Sequence, residues 1–187
     1  DHEGIVRTVK ANEARFQGAR RVEQIHPSPN DLTNGWTVAN GATIDSAIQA
    51  TLTGDDSNVR YLVPLGNTRV GDEYIFSAEI RLVSGSGTLR FRTTNWAEWS
   101  STAPDIQVTS EWKRFATPPL VVKTGTTNLG CLISTTNPNV TGDEVIEVRN
   151  AMTEVNTGAS NQAPSEWIDT DTDYGANVTG VKYFDTT

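Results

Sequence analysis

The stretch Glu73–Val83 constrains this chain more than any other. Tyr74, Phe76, Ala78, Ile80 and Leu82 occupy every second position, while Glu79 and Arg81 fall between them. Successive side chains take opposite sides only in extended backbone, so this period of two predicts a strand with one face in a core and one towards water. A helix would scatter the same apolar side chains around its circumference. The pattern recurs along the chain. Val59, Tyr61 and Val63 repeat it, Leu89 and Phe91 alternate with Arg90 and Arg92, and Leu129, Cys131 and Ile133 form another inward row. Ile44, Ser46, Ile48, Ala50 and Leu52 share a parity and read as one strand, ended by Gly54-Asp55-Asp56. Ser84-Gly85-Ser86-Gly87 reads as the turn of a hairpin. Between Trp112 and Val122 the alternation loses phase, which predicts a β-bulge. Asp143 to Met152 reads as the last obvious strand.

Composition agrees with this reading. The 187 residues include 26 Thr and 17 Val, β-branched types that suit a pleated, half-buried surface. Clusters of Gly, Asn, Asp and Ser return every ~8–12 residues, the spacing of turns in sandwiches and barrels. The expectation is an all-β chain, an antiparallel β-sandwich of roughly eight short strands in two packed sheets. The length fits one domain, or one domain with an arm. No apolar run approaches the ~18 residues of a membrane span, so membrane insertion is not expected. One Cys excludes an internal disulfide framework. A net charge of −8 argues against a nucleic-acid partner.

Charge also divides the chain. Residues 1–21 carry Arg7, Lys10, Arg15, Arg20 and Arg21 against three acids and are +2, whereas the remainder is −10. The first thirty residues lack alternation and close with His26-Pro27-Ser28-Pro29, which the prolines hold extended. Residues 1–30 therefore read as an extended N-terminal arm, 31–170 as the sandwich and 171–187 as a C-terminal extension. The five basic residues of the arm are candidates for assembly contacts, steered by the opposite charge of the remainder.

Catalysis finds little support. The two histidines, His2 and His26, stand near the terminus and in the Pro-rich segment. Asp55-Asp56 and Asp143-Glu144 read as solvated turn acids rather than an acid–base pair. No nucleophile-elbow, phosphate-loop or zinc-protease motif is present. Asp169, Asp171 and Asp173 have the spacing of the first ligands of a calcium loop, but Tyr174 stands where the tight-turn glycine belongs, and Gly180 where the closing Glu belongs. Cys131, between Leu129 and Ile133, reads as a small buried hydrophobe, and Trp36, Trp112 and Trp167 as packing residues. Trp96 and Trp99 differ, because they lie in the polar stretch Thr93–Ser101. Large aromatics in a polar loop mark a surface for a partner chain or a sugar ring, with Asn95 and Glu98 placed to hydrogen-bond hydroxyls. Outward Glu79, Arg81, Arg90 and Arg92, on strands joined at 84–87, are expected to form one charged strip leading to these tryptophans. That strip suits a glycan or a second subunit.

Four stretches together resemble a known family. Thr8–Phe16 with Gly18-Ala19-Arg20-Arg21-Val22-Glu23, continuing through Asn30-Asp31-Leu32 to Trp36, is similar to the amino-terminal segment of tailed-bacteriophage virion proteins. Val70–Glu79 resembles the "GxTYTFSxY" strand of that family, and Thr109–Phe115 its "TxxWxRF" strand. Asn150–Glu154 with Pro164-Ser165-Glu166-Trp167-Ile168 resembles its "xAQLExG…ATSYIPT" ending, with Trp167 where Tyr is usual and Asp169 where Pro is usual. The resemblance spans nearly the whole chain. It implies a jelly roll of the galactose-binding or carbohydrate-binding-module type and a non-enzymatic virion component, in a tail fibre, capsid fibre or capsid decoration. It implies homo-oligomers, other virion proteins and host-surface glycan as partners, and the virion, an extracellular particle, as location. No cofactor follows from it beyond a structural calcium, for which Asp31 is the matching position. The alternative is a carbohydrate-binding module of a secreted polysaccharide-active enzyme.

Overall fold

The computed structural model describes residues 19–24, 30–64, 70–94, 105–126, 128–135, 143–157 and 180–185. In chain order the strands are β1 (Ala19–Gln24), β2 (Trp36–Ala39), β3 (Thr43–Ile44), β4 (Gln49–Thr53), β5 (Asn58–Pro64), β6 (Glu73–Ser84) and β7 (Thr88–Thr94). They continue with β8 (Asp105–Gln107), β9 (Lys113–Ala116), β10 (Leu120–Val121), β11 (Asn128–Thr135), β12 (Asp143–Val155) and β13 (Gly180–Asp185). Among the described residues there is no helix. The strands form two antiparallel sheets packed as a jelly-roll sandwich. One has five strands in the order β2-β5-β11-β7-β8. The other has eight and is centred on the β6–β12 pair. β9 and β10 lie along the far edge of β6, and β4 followed by β3 lies beside the first half of β12. β1 meets β12 at Gln24–Glu154 and runs antiparallel to β13 from Ala19–Asp185 to Gln24–Gly180.

The alternating rows meet between the sheets. Tyr74, Phe76, Ala78 and Ile80 of β6 face Leu89, Phe91, Leu129, Cys131 and Ile133, and each is at most 1% exposed. Leu82 packs at the margin of the same cluster. Phe76 stacks on Phe91 with ring centroids 4.7 Å apart, while Trp36 meets Phe76 at 6.4 Å and Tyr61 edge-on at 5.7 Å. Such aromatic pairs contribute ~0.5–1.5 kcal/mol each beyond their area. Cys131 is fully buried with Sγ 3.3 Å from Thr153 Oγ1, and burial pushes its thiol up to about 12 despite that hydrogen bond.

Three local expectations change. Residues 44–52 are not one strand. Ser46 Oγ accepts from the Gln49 amide at 3.1 Å, turning the chain so that β3 folds back on β4 with Ile44 opposite Ala50. The turn at 84–87 is not a hairpin, because β6 and β7 belong to different sheets and the chain crosses the sandwich there. Nor is Glu144 a solvated turn acid. It is 2% exposed and accepts from Ser86 N (2.9 Å), Ser86 Oγ (2.6 Å) and Gly87 N (2.8 Å), so the crossover is clasped to β12. Gly85 (φ 118°) and Gly87 (φ 77°) are required there: a Cβ would meet the Glu144 carboxylate at the first and the Val108 carbonyl at the second.

The irregularity after Trp112 is present. Pairing with β6 passes from Ala116–Ser77 to Leu120–Tyr74, one extra residue, across Thr117-Pro118-Pro119. A second slip, with no warning in the alternation, lies in β12 between Arg149–Glu79 and Met152–Ser77. Asn150 takes a left-handed φ of 51° there, which an Asn accepts more readily than most residues. Its amide N–H donates to Asn30 Oδ1 at 2.8 Å and its side-chain nitrogen to Glu79 Oε1 at 3.0 Å.

Candidate functional site

The outer faces of the two sheets point in opposite directions, and this decides where the charged residues can act. Glu79 and Arg81 stand on the outer face of the eight-stranded sheet, whereas Arg90 and Arg92 stand on that of the five-stranded sheet. The single charged strip read from the sequence therefore does not exist: the hydrophobic core lies between its two halves.

On the eight-stranded sheet the charges close on themselves. Arg81 Nε lies 2.6 Å from Glu147 Oε2, and Arg149 Nε 2.7 Å from Glu79 Oε2. The guanidinium carbons of Arg149 and Arg81 lie 4.1 and 5.0 Å from the centroid of the half-buried Trp112 ring. Trp112 is thus a packing residue, but its partners are arginines on the outer face and not the core. For Glu79, burial alone would raise the pKa; the hydrogen bonds from Asn150 and Arg149 and the charges of Arg149 and Arg114 outweigh it and hold the carboxyl below its usual range. The guanidinium groups of Arg149 and Arg81 thus take up ring surface that a flat ligand would otherwise meet.

The five-stranded sheet presents a different surface. Inward Val59, Val63, Leu89, Phe91, Leu129 and Ile133 force their neighbours outward. The register then aligns Thr37, Arg60, Leu132 and Arg92 in one row across four strands. The adjacent row runs Asn58, Ser134, Arg90, Asp105. Arg92 Nη2 is 2.7 Å from Asp56 Oδ1 and 3.4 Å from Ser134 Oγ. Arg90 Nε reaches Asp105 Oδ1 at 3.3 Å, and Arg60 Nε reaches Thr37 Oγ1 at 3.4 Å. Leu132 points away from the core yet is 1% exposed, between the two arginines that the register puts on either side. The result is a row of held donors and acceptors in which Leu132 and Ser134 are buried, while Leu62, two residues from Arg60 on the same face, is an exposed apolar side chain. Guanidinium groups suit such a row, since their planar forks bind paired oxygens.

Asn95, Trp96, Glu98 and Trp99 lie outside the described residues, as do Trp167, the Asp169–Asp173 run, Arg7, Lys10 and Arg15. The segment carrying Trp96 and Trp99 joins β7 to β8, so it leaves and re-enters the same five-stranded sheet that carries Arg90 and Arg92. Arg20 and Arg21 fall on β1, opposite Phe184 and Tyr183 of β13. Asp31 Oδ1 accepts from Thr33 N at 2.9 Å and Thr33 Oγ1 at 2.6 Å, the geometry of an Asx turn. Among the described residues no three His, Cys, Asp or Glu side chains gather to hold a metal.

Solved structures similar to this chain include carbohydrate-binding modules. The CBM22-1 xylan-binding domain of Xyn10C from Paenibacillus barcinonensis is 18% identical, with 70% of this chain and 91% of that one covered at a TM-score of 0.49. The module TmCBM61 in complex with β-1,4-galactotriose is 10% identical, with 70% and 97% covered at 0.46. A xylan-binding domain from CBM 22 is 12% identical, with 68% and 92% covered at 0.46. No family model matches this sequence, and no curated protein does.

Sequence reasoning picked out Arg90 and Arg92, missed Arg60, Leu132 and Asp105, and read as a solvated turn acid the Asp56 that pairs with Arg92. Arg60 was within reach, since it sits at the outward parity between Val59 and Tyr61. So was Leu132, at the outward parity between Cys131 and Ile133, but its place between Arg60 and Arg92 needed the register of three strands.

Proposed function

We propose that this chain is a non-catalytic β-sandwich module that holds glycan on the outer face of its five-stranded sheet. The observation that carries the reading is the row Thr37–Arg60–Leu132–Arg92, which leads by way of β7 into the segment bearing Trp96 and Trp99. A pyranose offers hydroxyl pairs at its edge and C–H groups on its face. Arginine forks and acidic acceptors suit the edge, and an exposed apolar side chain such as Leu62, or an aromatic one, suits the face. The similar structures bear names that include xylan and galactotriose, but the reading rests on this face and its neighbouring loop. Glycan-array binding by the native chain, compared with a Trp96→Ala, Trp99→Ala double variant that remains folded, tests it. The native chain should retain at least one glycan class and the variant should lose it. An array on which the folded native chain binds nothing refutes the reading.

A second reading concerns the setting, a virion part that contacts host glycan, and its support is the sequence resemblance alone. Val70–Glu79, Thr109–Phe115 and Asn150–Glu154, which resemble strands of phage virion proteins, fall largely on β6, β9 and β12, which are adjacent in one sheet. Electron microscopy of labelled particles tests this setting: label on fibres or capsid supports it, and particles free of label reject it.

A further inference from the structure

We propose that β1 and β13, drawn from opposite ends of the sequence, form one latch: β13 holds β1, and with it the root of the basic N-terminal segment, against the sandwich, and β1 is freed whenever β13 lets go. The register carries this. β1 pairs with β13 along its whole length, from Ala19–Asp185 to Gln24–Gly180, but with β12 only at Gln24–Glu154. β13 in turn is the last strand of its sheet, with β1 as its one neighbour among the described residues. The two are each other's main ladder, a two-stranded ribbon joined to the sandwich at one corner.

A two-stranded ribbon is marginal by itself in water, and a terminal segment stays ordered only where it is tied down. Each strand therefore depends on the other, and the pair opens as a unit before the sandwich does. The contrast lies within the same sheet. β6 and β12 pair from Val145–Ser84 to Val155–Tyr74, and their Phe76, Ile80, Ile146 and Val148 are buried in the core. The opening also has a defined limit. Beyond β1 the chain is fixed again at Asn30, whose Oδ1 accepts from the Asn150 amide at 2.8 Å. Leu32 follows, 2% exposed, its amide donating to the Ala47 carbonyl at 2.6 Å. Those ties belong to β12 and the core, so release of the ribbon stops between Gln24 and Asn30.

What the latch governs is charge. Residues 1–21 are +2 and the remainder −10, so opening it releases the basic end of an otherwise acidic chain. The antiparallel ladder also supplies an internal control. Alternate residues direct both N–H and C=O at the neighbouring strand, and those between direct them the other way. Of Lys182 and Tyr183, consecutive on β13, one therefore bonds to β1 and the other faces away from it. The same holds for Arg21 and Val22 on β1 with respect to β13. Proline removes the N–H, so it breaks the ladder at one position of each pair and not at the other.

Hydrogen exchange of the full chain, followed amide by amide in rising sub-denaturing urea, tests the latch. In the native chain the amides of Arg20–Glu23 and Val181–Phe184 should exchange through one opening with a shared urea dependence, about tenfold or more faster than Phe76, Ile80 and Val148. Of Lys182→Pro and Tyr183→Pro, the one that breaks the ladder should speed exchange across Arg20–Glu23 about tenfold or more, and the other should leave it within about twofold. Arg21→Pro and Val22→Pro should act in the same way on Val181–Phe184. In every variant Phe76, Val148 and Asn150 should keep the parent's rates; loss from both members of a pair with those three unmoved supports the dependence equally. A β1 that keeps its protection in both β13 variants overturns the proposal, as does a β13 that keeps its own in both β1 variants. Exchange of Phe76 and Val148 rising in step with β1 overturns it too, because the ribbon then belongs to the cooperative unit of the sandwich. Unequal urea dependence of β1 and β13 in the native chain overturns the single latch.

Discussion

Replacing Glu144 tests the crossover that sends β6 and β7 to different sheets. Its carboxylate accepts three hydrogen bonds, from Ser86 N at 2.9 Å, Ser86 Oγ at 2.6 Å and Gly87 N at 2.8 Å, with the side chain all but buried. Bonds to a charged acceptor contribute ~1.5–3 kcal/mol each, and partners left buried without one cost about as much. Three bonds sharing one carboxylate do not add, so Glu144→Ala should cost ~3–5 kcal/mol. Glu144→Gln keeps one acceptor oxygen but turns an N–H₂ towards a donor, and should cost ~2–3 kcal/mol. Urea unfolding followed by tryptophan fluorescence reads both, and the midpoint should fall with an unchanged slope. Adding Ser86→Ala to each variant closes a double-mutant cycle with a coupling of ~1–2 kcal/mol. The neighbouring Asp143→Asn only neutralises an exposed acceptor of Thr53 Oγ1 and should stay within ~0.5 kcal/mol of the parent. A Glu144→Ala loss below ~1 kcal/mol refutes the clasp as a source of stability.

Further outcomes follow from the core and the opposite face. Phe76→Ala, which empties the space between Phe91 and Trp36, should cost ~3–5 kcal/mol in the same unfolding assay. Cys131, with its thiol pushed to about 12, should resist a disulfide reagent at pH ~8 until denaturant is added; prompt labelling of the native chain contradicts its burial. Glu79 has a lower pKa folded than its ordinary 4.5, so its ionised form stabilises the fold: that contribution is present above about pH 4.5 and is lost as pH falls through the lowered folded value. Arg149→Gln, which removes one hydrogen bond and one charge from Glu79, should therefore move acid unfolding to higher pH; an unchanged acid midpoint counts against it.

The core was legible because alternation is a local signal. Tyr74, Phe76 and Ile80, and Leu129, Cys131 and Ile133, announce their faces within a few residues of chain. Sheet membership is not local. Gly85 and Gly87 mark a sharp turn, but whether that turn closes a hairpin or crosses the sandwich depends on Glu144, some sixty residues later in the chain. That one ambiguity placed Arg81 beside Arg90 in the sequence reading, when the core separates them. The slip at Asn150 was hidden for a similar reason, since Glu79 and Asn30 hold the left-handed residue from other parts of the chain. On the candidate face the outward arginines of β7 could be read from parity. Arg60 and Leu132 also stand at outward parity, but that they share a row with Arg92 required the register of β5 and β11, which no single strand contains.

Mapping a bound oligosaccharide by backbone amide chemical shifts on the full-length chain tests the central claim most directly. A saturating oligosaccharide of the class retained on the glycan array should shift the amides of Arg60, Arg90, Arg92, Leu132 and Ser134, on three adjacent strands of one sheet. It should leave Glu79, Arg81, Glu147 and Arg149 unmoved on the other. Shifts confined to β6, β9 and β12 would contradict the account and move the site to the Trp112 face.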